Sequence, residues 1–153
     1  MKWQQLRNSI YYLDGTLRDI YVQGTTKDDW LIWADFVNQN YKVSFNPVGT
    51  NLVEGKIDVN KAFENCFNSD EGECSIATVF LDDILVQIYF FSADEIENDI
   101  TPVEINSIED HNKLVNYMLG VSRALKKKVI LTPDSQPENE LISVYLDEVI
   151  VNV

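Results

Sequence analysis

The chain has 153 residues, of which 25 are Asp or Glu and 12 are Lys or Arg, so its formal net charge is −13. This length is typical of one domain, and a hydrophobic content of 45% argues against disorder. So acidic a surface repels phosphate backbones and anionic membranes, which excludes nucleic acid and membrane as expected partners. We therefore predict a single globular domain over residues 1–153.

Targeting signals and cysteines bear on the cellular compartment. The first residues, MKWQQLRNSIYYLDGT, lack the apolar core of a signal peptide. The longest apolar stretch, ILVQIYFF at 84–91, is too short to span a bilayer. These features predict a soluble, cytoplasmic protein. In that reducing compartment we expect Cys66 and Cys74 to be buried thiols. The alternative, if the chain is exported by another route, is a disulfide between them.

The N-terminal part of the chain predicts a hairpin followed by a helix. Ser9–Leu13 and Leu17–Gln23 are rich in Ile, Tyr and Val, and they flank the dipeptide Asp14-Gly15, which is typical of hairpin turns. Thr26 and Asp29 are spaced as a capping box at the start of a helix that should end near residue 40.

The middle of the chain predicts a strand over 41–45, a short helix over 59–67 capped by Asp58, and a hairpin of strands 75–81 and 84–91 around Asp82-Asp83. The second of these strands is apolar at nearly every position, so we place it in the sheet centre with both faces covered. Residues 92–106 contain Pro102 and many acids, and we interpret them as a connector.

The last third predicts the longest helix, which begins at the cap formed by Ser107 and Asp110, and its inward stripe carries Ile108, Val115, Met118, Val121 and Leu125. A strand at 129–132, a loop at 133–139 and one or two closing strands at 141–153 follow. The order ββαβαββαββ predicts an α+β fold, in which helices cover a mostly antiparallel sheet.

The acidity is concentrated in one segment. Residues 69–110 contain 12 acids and no Lys or Arg, so this segment carries nearly all of the net charge. One interpretation is a solvated surface that maintains solubility; the other is a docking face for a basic protein, since complementary charge speeds association. In the second case, the candidate contact acids are Asp82, Asp83, Asp94, Glu95 and Glu97.

A second candidate patch depends on the pair Arg18 and Asp19 inside an apolar run. Neighbours in a strand point to opposite faces. One interpretation has Arg18 packing on Tyr12 and holding a carboxylate while Asp19 is solvated. The other joins Tyr11, Asp19 and Tyr21 into an aromatic and acidic patch that binds Arg or Lys of a partner.

The sequence lacks the motifs that several kinds of binding or catalytic site require. The sequence contains no Walker A motif, no dinucleotide-binding fingerprint and no nucleophile elbow, so no cofactor is expected. His111 is the only histidine and therefore cannot form a two-histidine metal site; we interpret it as a half-buried helix residue with one hydrogen bond. The acids match no calcium-loop spacing. An enzyme is the less expected class.

Three segments resemble a group of small bacterial proteins of the immunity type, which are encoded beside secreted toxins. They are Y-L-D-G-T-L-R-D-I-Y-V at 12–22, the pair Asp29-Trp30, and K-K-V-I-L-T-P at 127–133. The resemblance covers the two ends of the chain and leaves the acidic middle unmatched. It implies a small cytoplasmic binding protein, and it carries over no functional residue.

Three functions follow as hypotheses. The first is a non-enzymatic protein that occludes a basic partner, such as a nuclease-type toxin. The second is a small hydrolase or metal-assisted enzyme that uses surface carboxylates and His111. The third is a structural module that forms a homodimer through the apolar C-terminal strand, Val149–Val153.

Overall fold

A computed structural model describes residues 2–48, 50–67 and 74–153. These residues form four α-helices, one short 3₁₀ turn at Pro102–Glu104 and eight strands in one antiparallel sheet. In chain order the elements are α1 (Trp3–Ser9), β1 (Arg18–Gln23), α2 (Lys27–Asn40), β2 (Lys42–Asn46), α3 (Val59–Phe67), β3 (Ile76–Leu81), β4 (Ile84–Tyr89), β5 (Glu95–Ile100), α4 (Ile108–Leu125), β6 (Val129–Pro133), β7 (Ile142–Tyr145) and β8 (Glu148–Val151). The predicted α+β class with a mostly antiparallel sheet is confirmed.

The strand order in the sheet is β2-β3-β4-β5-β1-β6-β7-β8. The first strand of the chain therefore lies at the centre, where it pairs with β5 on one side and β6 on the other. Two hairpins, β3–β4 and β7–β8, have two-residue turns that begin with Asp82 and Leu146, both at φ 55°.

The helices cover one face of the sheet. From α2, Trp30 and Trp33 are fully buried, and from α4, Met118 and Val121 pack into the same core. Alternate residues of each strand point into this core, which gives β3 and β4 their regular alternation of buried and half-buried side chains. We call the opposite side of the sheet the outer face. The expectation that both faces of residues 84–91 are covered is therefore wrong.

The predicted helix caps are confirmed. The Thr26 side chain accepts a hydrogen bond from the Asp29 amide, and the Asp29 carboxylate accepts one from the Thr26 amide. Asp58 accepts from the Lys61 amide at 3.0 Å, and Ser107 accepts from the Asp110 amide at 3.1 Å. Each cap satisfies a backbone donor that a helix start leaves free.

The predicted hairpin over residues 9–23 is wrong. Residues 3–9 form α1, and residues 10–17 form a loop held by the fully buried Arg18. The guanidinium donates hydrogen bonds to the carbonyl oxygens of Ile10, Tyr12, Thr16 and Leu17. Because β5 and β6 already occupy both edges of β1, the sheet leaves no edge there for a strand from this loop.

One of the two interpretations of Arg18 is confirmed. Its guanidinium lies 4.1 Å from the ring centroid of Tyr12 and 3.6 Å from the carboxylate of Asp14. The accompanying expectation that Asp19 is solvated is wrong, since Asp19 is only 4% exposed. Arg18 faces the core and Asp19 faces the outer side, as strand alternation requires.

The predicted connector over 92–106 is also wrong, because it contains β5. The run Glu95–Ile100 pairs with β1 over six positions and with β4 over three. Its apolar residues and Asn98 face the core. Its carboxylates face outwards, so this acidic segment is a central strand of the sheet.

Cys74 is disulfide-bonded, which makes the expectation of a buried thiol wrong at that position. The sequence has one other cysteine, Cys66, whose side chain lies outside the described residues, as do Asp70, Glu71 and Glu73. Within the described ranges, no helix has the length and apolar character that a membrane crossing requires.

Candidate functional site

The outer face of β5 carries three carboxylates in a row. Glu95, Glu97 and Asp99 alternate with residues that point into the core. This is the period of two that places every second side chain of a strand on the same face. The net effect is a column of acids near the middle of an eight-stranded sheet.

The neighbouring strand β1 adds Asp19 and Tyr21 to the same face. Asp19 lies opposite Asp99, and Tyr21 lies opposite Glu97. Residues opposite each other on antiparallel strands have Cβ atoms about 5 Å apart, and like charges in such positions are destabilising. Asp19 and Asp99 are therefore a like-charge pair, with exposed fractions of only 4% and 8%.

On the other side of β5, strand β4 contributes Tyr89 opposite Glu97. Glu97 thus lies between two tyrosines on the two adjacent strands. The Tyr21 hydroxyl donates to Asp19 at 2.9 Å, and Tyr89 lies close enough to Asp99 to act on its pKa. We call this group the acidic patch; its members are Asp19, Tyr21, Tyr89, Glu95, Glu97 and Asp99.

The loop after β6 covers part of the acidic patch. The Ser135 amide donates a hydrogen bond to Asp19 Oδ2 at 2.8 Å, and Ser135 adopts a left-handed backbone with φ 57°. Its neighbour Asp134 adds another negative charge that acts on Asp99 and Glu97. The loop therefore shields Asp19 from solvent and increases the local negative potential.

Three carboxylates of the patch, Glu95, Glu97 and Asp99, resist ionisation. Burial, followed by the charges of Asp19 and Asp134, raises the pKa of Asp99 to about 6. Burial and neighbouring carboxylates also raise the pKa of Glu97 and of Glu95. In the described part of the chain, no Lys or Arg forms an ion pair with these acids. A cation brought to this surface would favour their charged forms.

The other predicted contact acids lie apart from this centre. Asp82 and Asp83 form the β3–β4 turn, at the opposite end of β4 from Tyr89, and Asp82 lies 3.3 Å from Lys113. Asp94 precedes β5 and accepts a hydrogen bond from the Ser92 hydroxyl. Asp94 acts on the patch by raising the pKa of its neighbour Glu95.

Tyr11 does not join Asp19 and Tyr21, so the predicted patch of these three residues is wrong in that member. Tyr11 is 1% exposed, and its hydroxyl bonds His111 Nδ1 at 2.7 Å on the helix side of the sheet. The interpretation of His111 as a helix residue with one side-chain hydrogen bond is confirmed within the described residues, but the expectation that it is half-buried is wrong, since it is 7% exposed.

A cavity of about 530 Å³ lies elsewhere, near the end of α2 and the β3–β4 turn. Its lining includes Tyr41, Lys42, Phe80, Asp82 and Lys113. Across residues 2–48, 50–67 and 74–153, no group of three or more His, Cys, Asp or Glu side chains has the arrangement of a metal site.

Asp99 and Tyr89 are not among the partner-binding residues predicted from the sequence. The signal for Asp99 is the alternation in Glu-Ile-Glu-Asn-Asp-Ile at 95–100, which is the pattern of a half-buried strand. Tyr89 could have been found only through the pairing of β4 with β5. Comparison with family models, curated proteins and solved structures finds no match to the chain.

Proposed function

We propose that this chain is a non-enzymatic binding protein that uses the acidic patch to occupy a basic protein partner. The observation that carries the proposal is the pair Asp19 and Asp99, which lie opposite each other, almost completely buried. Such a pair costs stability on its own. A cation bound beside the pair, at the half-buried Glu95 and Glu97, reduces that cost, so the patch has a preference for positive ligands built into the folded state.

The tyrosines add specificity to the charge. Tyr21 and Tyr89 flank Glu97 on neighbouring strands. Aromatic rings attract cations at their faces, and tyrosine is enriched at protein interfaces because it has an apolar body and a polar tip. An Arg or Lys of the partner therefore meets a carboxylate flanked by aromatic side chains.

We further propose that the partner is a nuclease-type toxin and that the chain is its immunity protein. A nuclease needs a positive surface to hold nucleic acid, so its active site is complementary to an acidic patch. The resemblance of residues 12–22 and 127–133 to immunity-type proteins supports the same assignment. The mechanism is steric and electrostatic occlusion, with complementary charge accelerating association.

The binding step can be tested with an octa-arginine peptide as probe. Titration calorimetry with the full chain should detect binding that weakens as salt concentration rises, because salt screens exposed charges. Glu97→Gln should weaken binding about tenfold, equivalent to about 1.4 kcal/mol. Glu64→Gln is the matched control, because Glu64 is exposed on α3 and the substitution removes the same charge. Equal effects of the two variants on binding would contradict the proposal.

The identity of the partner requires a second experiment. The tagged chain and its Glu97→Gln variant serve as baits in extracts of the source cells, washed at low and then high salt. A basic protein retained by the wild type, released by salt and lost by the variant is then assayed for nuclease activity. Inhibition of that activity by the chain supports immunity, whereas capture without inhibition contradicts it and leaves the binding function standing.

A hydrolase is the second candidate, and one observation favours it. Asp99 has its pKa raised to about 6, and an acid with a pKa near the working pH suits proton transfer. The paired Asp19 supplies the second carboxylate that glycoside hydrolysis uses. Turnover of glycoside substrates that is lost in Asp99→Asn and kept in Glu64→Gln would favour this function over simple binding.

A further inference from the structure

The two edges of the sheet are protected differently. At the β2 edge, the Phe45 amide donates to the Glu54 carbonyl at 2.8 Å, and the Glu54 amide donates to the Phe45 carbonyl at 2.7 Å. This isolated bridge covers the edge. At the other edge, β8 pairs only with β7 within the described residues. We propose that two copies of the chain pair through β8, in antiparallel orientation, to form a homodimer with one continuous sheet; this inference does not depend on the proposed function.

The backbone of β8 has a defined free side. The β7–β8 turn has two residues, so its flanking pair, Tyr145 and Glu148, exchanges backbone hydrogen bonds. The backbone amide and carbonyl of every second residue from Glu148 therefore point towards β7. The Asn152 amide agrees with this, since it donates to the Leu141 carbonyl at 2.9 Å. The amides and carbonyls of Val149 and Val151 therefore point outwards, ready to pair with another strand.

The side chains of this edge are apolar and partly exposed. Val149 is 37% exposed, Ile150 47% and Val153 55%. Natural edge strands are usually blunted by Lys, Pro, a bulge or a covering loop. Residues 148–153, EVIVNV, contain neither Lys nor Pro. The β8 edge thus combines free backbone groups with uncovered apolar side chains.

A second copy is the occupant that suits this edge. Antiparallel pairing about a two-fold axis at Ile150 places Val149 opposite Val151 of the other copy and Glu148 opposite Asn152. No like charges face each other in this register. Val149 and Val151 lie on the core side of the sheet, since their partners Val144 and Ile142 are buried, so the four valines extend both cores across the junction. This interface is isologous, as expected for a two-fold dimer.

The charge distribution permits this approach despite the net charge of −13. Residues 111–153, which comprise most of α4 together with β6, β7 and β8, contain 5 acids and 5 Lys or Arg, and two of the acids near β8 are paired with bases, Asp147 with Arg123 and Glu140 with Lys128. The acidic column on β5 lies four strand positions from β8, which is roughly 19 Å at the usual strand spacing. This exceeds the Debye length of about 8 Å at physiological salt.

The test is sedimentation velocity of the full chain from micromolar to millimolar concentration. We expect a concentration-dependent dimer whose dissociation constant rises about tenfold or more in Ile150→Lys. The matched control is Ile76→Lys, because Ile76 is 46% exposed on β3 and the substitution adds the same charge. A chain that remains a monomer throughout, or a dimer weakened equally by both variants, overturns the proposal.

A second variant separates dimer loss from unfolding. Val149→Pro removes an amide that only the other copy would use, and proline is tolerated on free strand edges. We expect a monomer with an unchanged circular dichroism spectrum. In the wild type, the amides of Val149 and Val151 should become protected from hydrogen exchange as concentration rises. Dimerisation without protection of these amides would mean another interface and would overturn the assignment to β8.

Discussion

The hydroxyl of Tyr11 lies 2.7 Å from Nδ1 of His111, although 100 positions separate the two residues in the chain. The Tyr11 ring also stacks against Trp3 of α1, at a centroid distance of 6.0 Å. Through this one side chain, the N-terminal segment is attached to the first turn of α4. The contact is buried, so removal of the Tyr11 hydroxyl leaves Nδ1 of His111 without this hydrogen bond and without water to replace it.

We predict that Tyr11→Phe lowers the free energy of unfolding by about 1 kcal/mol, the usual net contribution of a hydrogen bond whose partner stays buried. Urea denaturation at pH 7.5 measures the change. Tyr145→Phe is the control, because Tyr145 is 49% exposed and should show no measurable change. Equal stability of Tyr11→Phe and wild type would contradict the role of this hydrogen bond.

His111 should make the fold less stable in acid. Burial lowers the pKa of His111 below its ordinary value of 6.5, so the unfolded chain binds a proton at a higher pH than the folded chain. This contribution therefore destabilises the fold progressively as the pH falls through about 6.5. Urea denaturation at pH 7.5 and 5.5 should show a larger loss for wild type than for His111→Gln; parallel losses would contradict the prediction.

Asp99 should have the opposite dependence. Its pKa is raised from 3.8 to about 6, so the folded chain binds a proton that the unfolded chain has already lost. Ionised Asp99 therefore costs stability fully above about pH 6, and the cost disappears below about pH 4. We predict that Asp99→Asn increases the free energy of unfolding at pH 7.5 by about 3 kcal/mol.

The same variant should show only a small gain when measured at pH 4, because there the folded carboxyl is protonated and the unfolded carboxyl, with its ordinary pKa of 3.8, is about half protonated. Asp35→Asn is the control, since Asp35 is exposed on α2 and its substitution should change stability by less than about 0.5 kcal/mol. Stabilisation of equal size at both pH values would show that charge repulsion is not its cause.

Arg18 organises the loop before β1, and a lysine cannot replace it. Its guanidinium donates to four backbone carbonyls in different directions, whereas an ammonium offers three donors from one point. We predict that Arg18→Lys costs about 3 kcal/mol, because a buried charge loses partners. Arg123→Lys, at an exposed pair with Asp147, should cost less than about 0.5 kcal/mol; similar costs in thermal or urea unfolding would contradict this.

Local signals predicted the helices that have caps. Thr26 with Asp29, Asp58, and Ser107 with Asp110 each mark a helix start through interactions within a few residues. Such signals need no knowledge of the rest of the fold. The β3–β4 hairpin was predicted for the same reason.

The errors arose where distant partners decide the structure. Asp14-Gly15 is a turn, with Thr16 donating to Asp14 at 3.0 Å, but the sheet positions beside β1 belong to residues 95–100 and 129–133. The acids of 92–106 concealed β5, although their alternation fits a strand. Asp19 and Glu97 were predicted to belong to two separate patches. They lie on the same face only because β1 pairs with β5 in this register.

The central position of β1 has a consequence for how the chain folds. Residues 18–23 leave the ribosome before their two neighbouring strands, which follow about 75 and 110 residues later. Closing such long loops is entropically costly, and folding that depends on distant strand pairs is slow. Until residue 100 has emerged, β1 lacks the partner strands of both edges, and until residue 133 has emerged it still lacks one, so the newly made chain is most exposed to aggregation at the strand that is best protected in the finished protein.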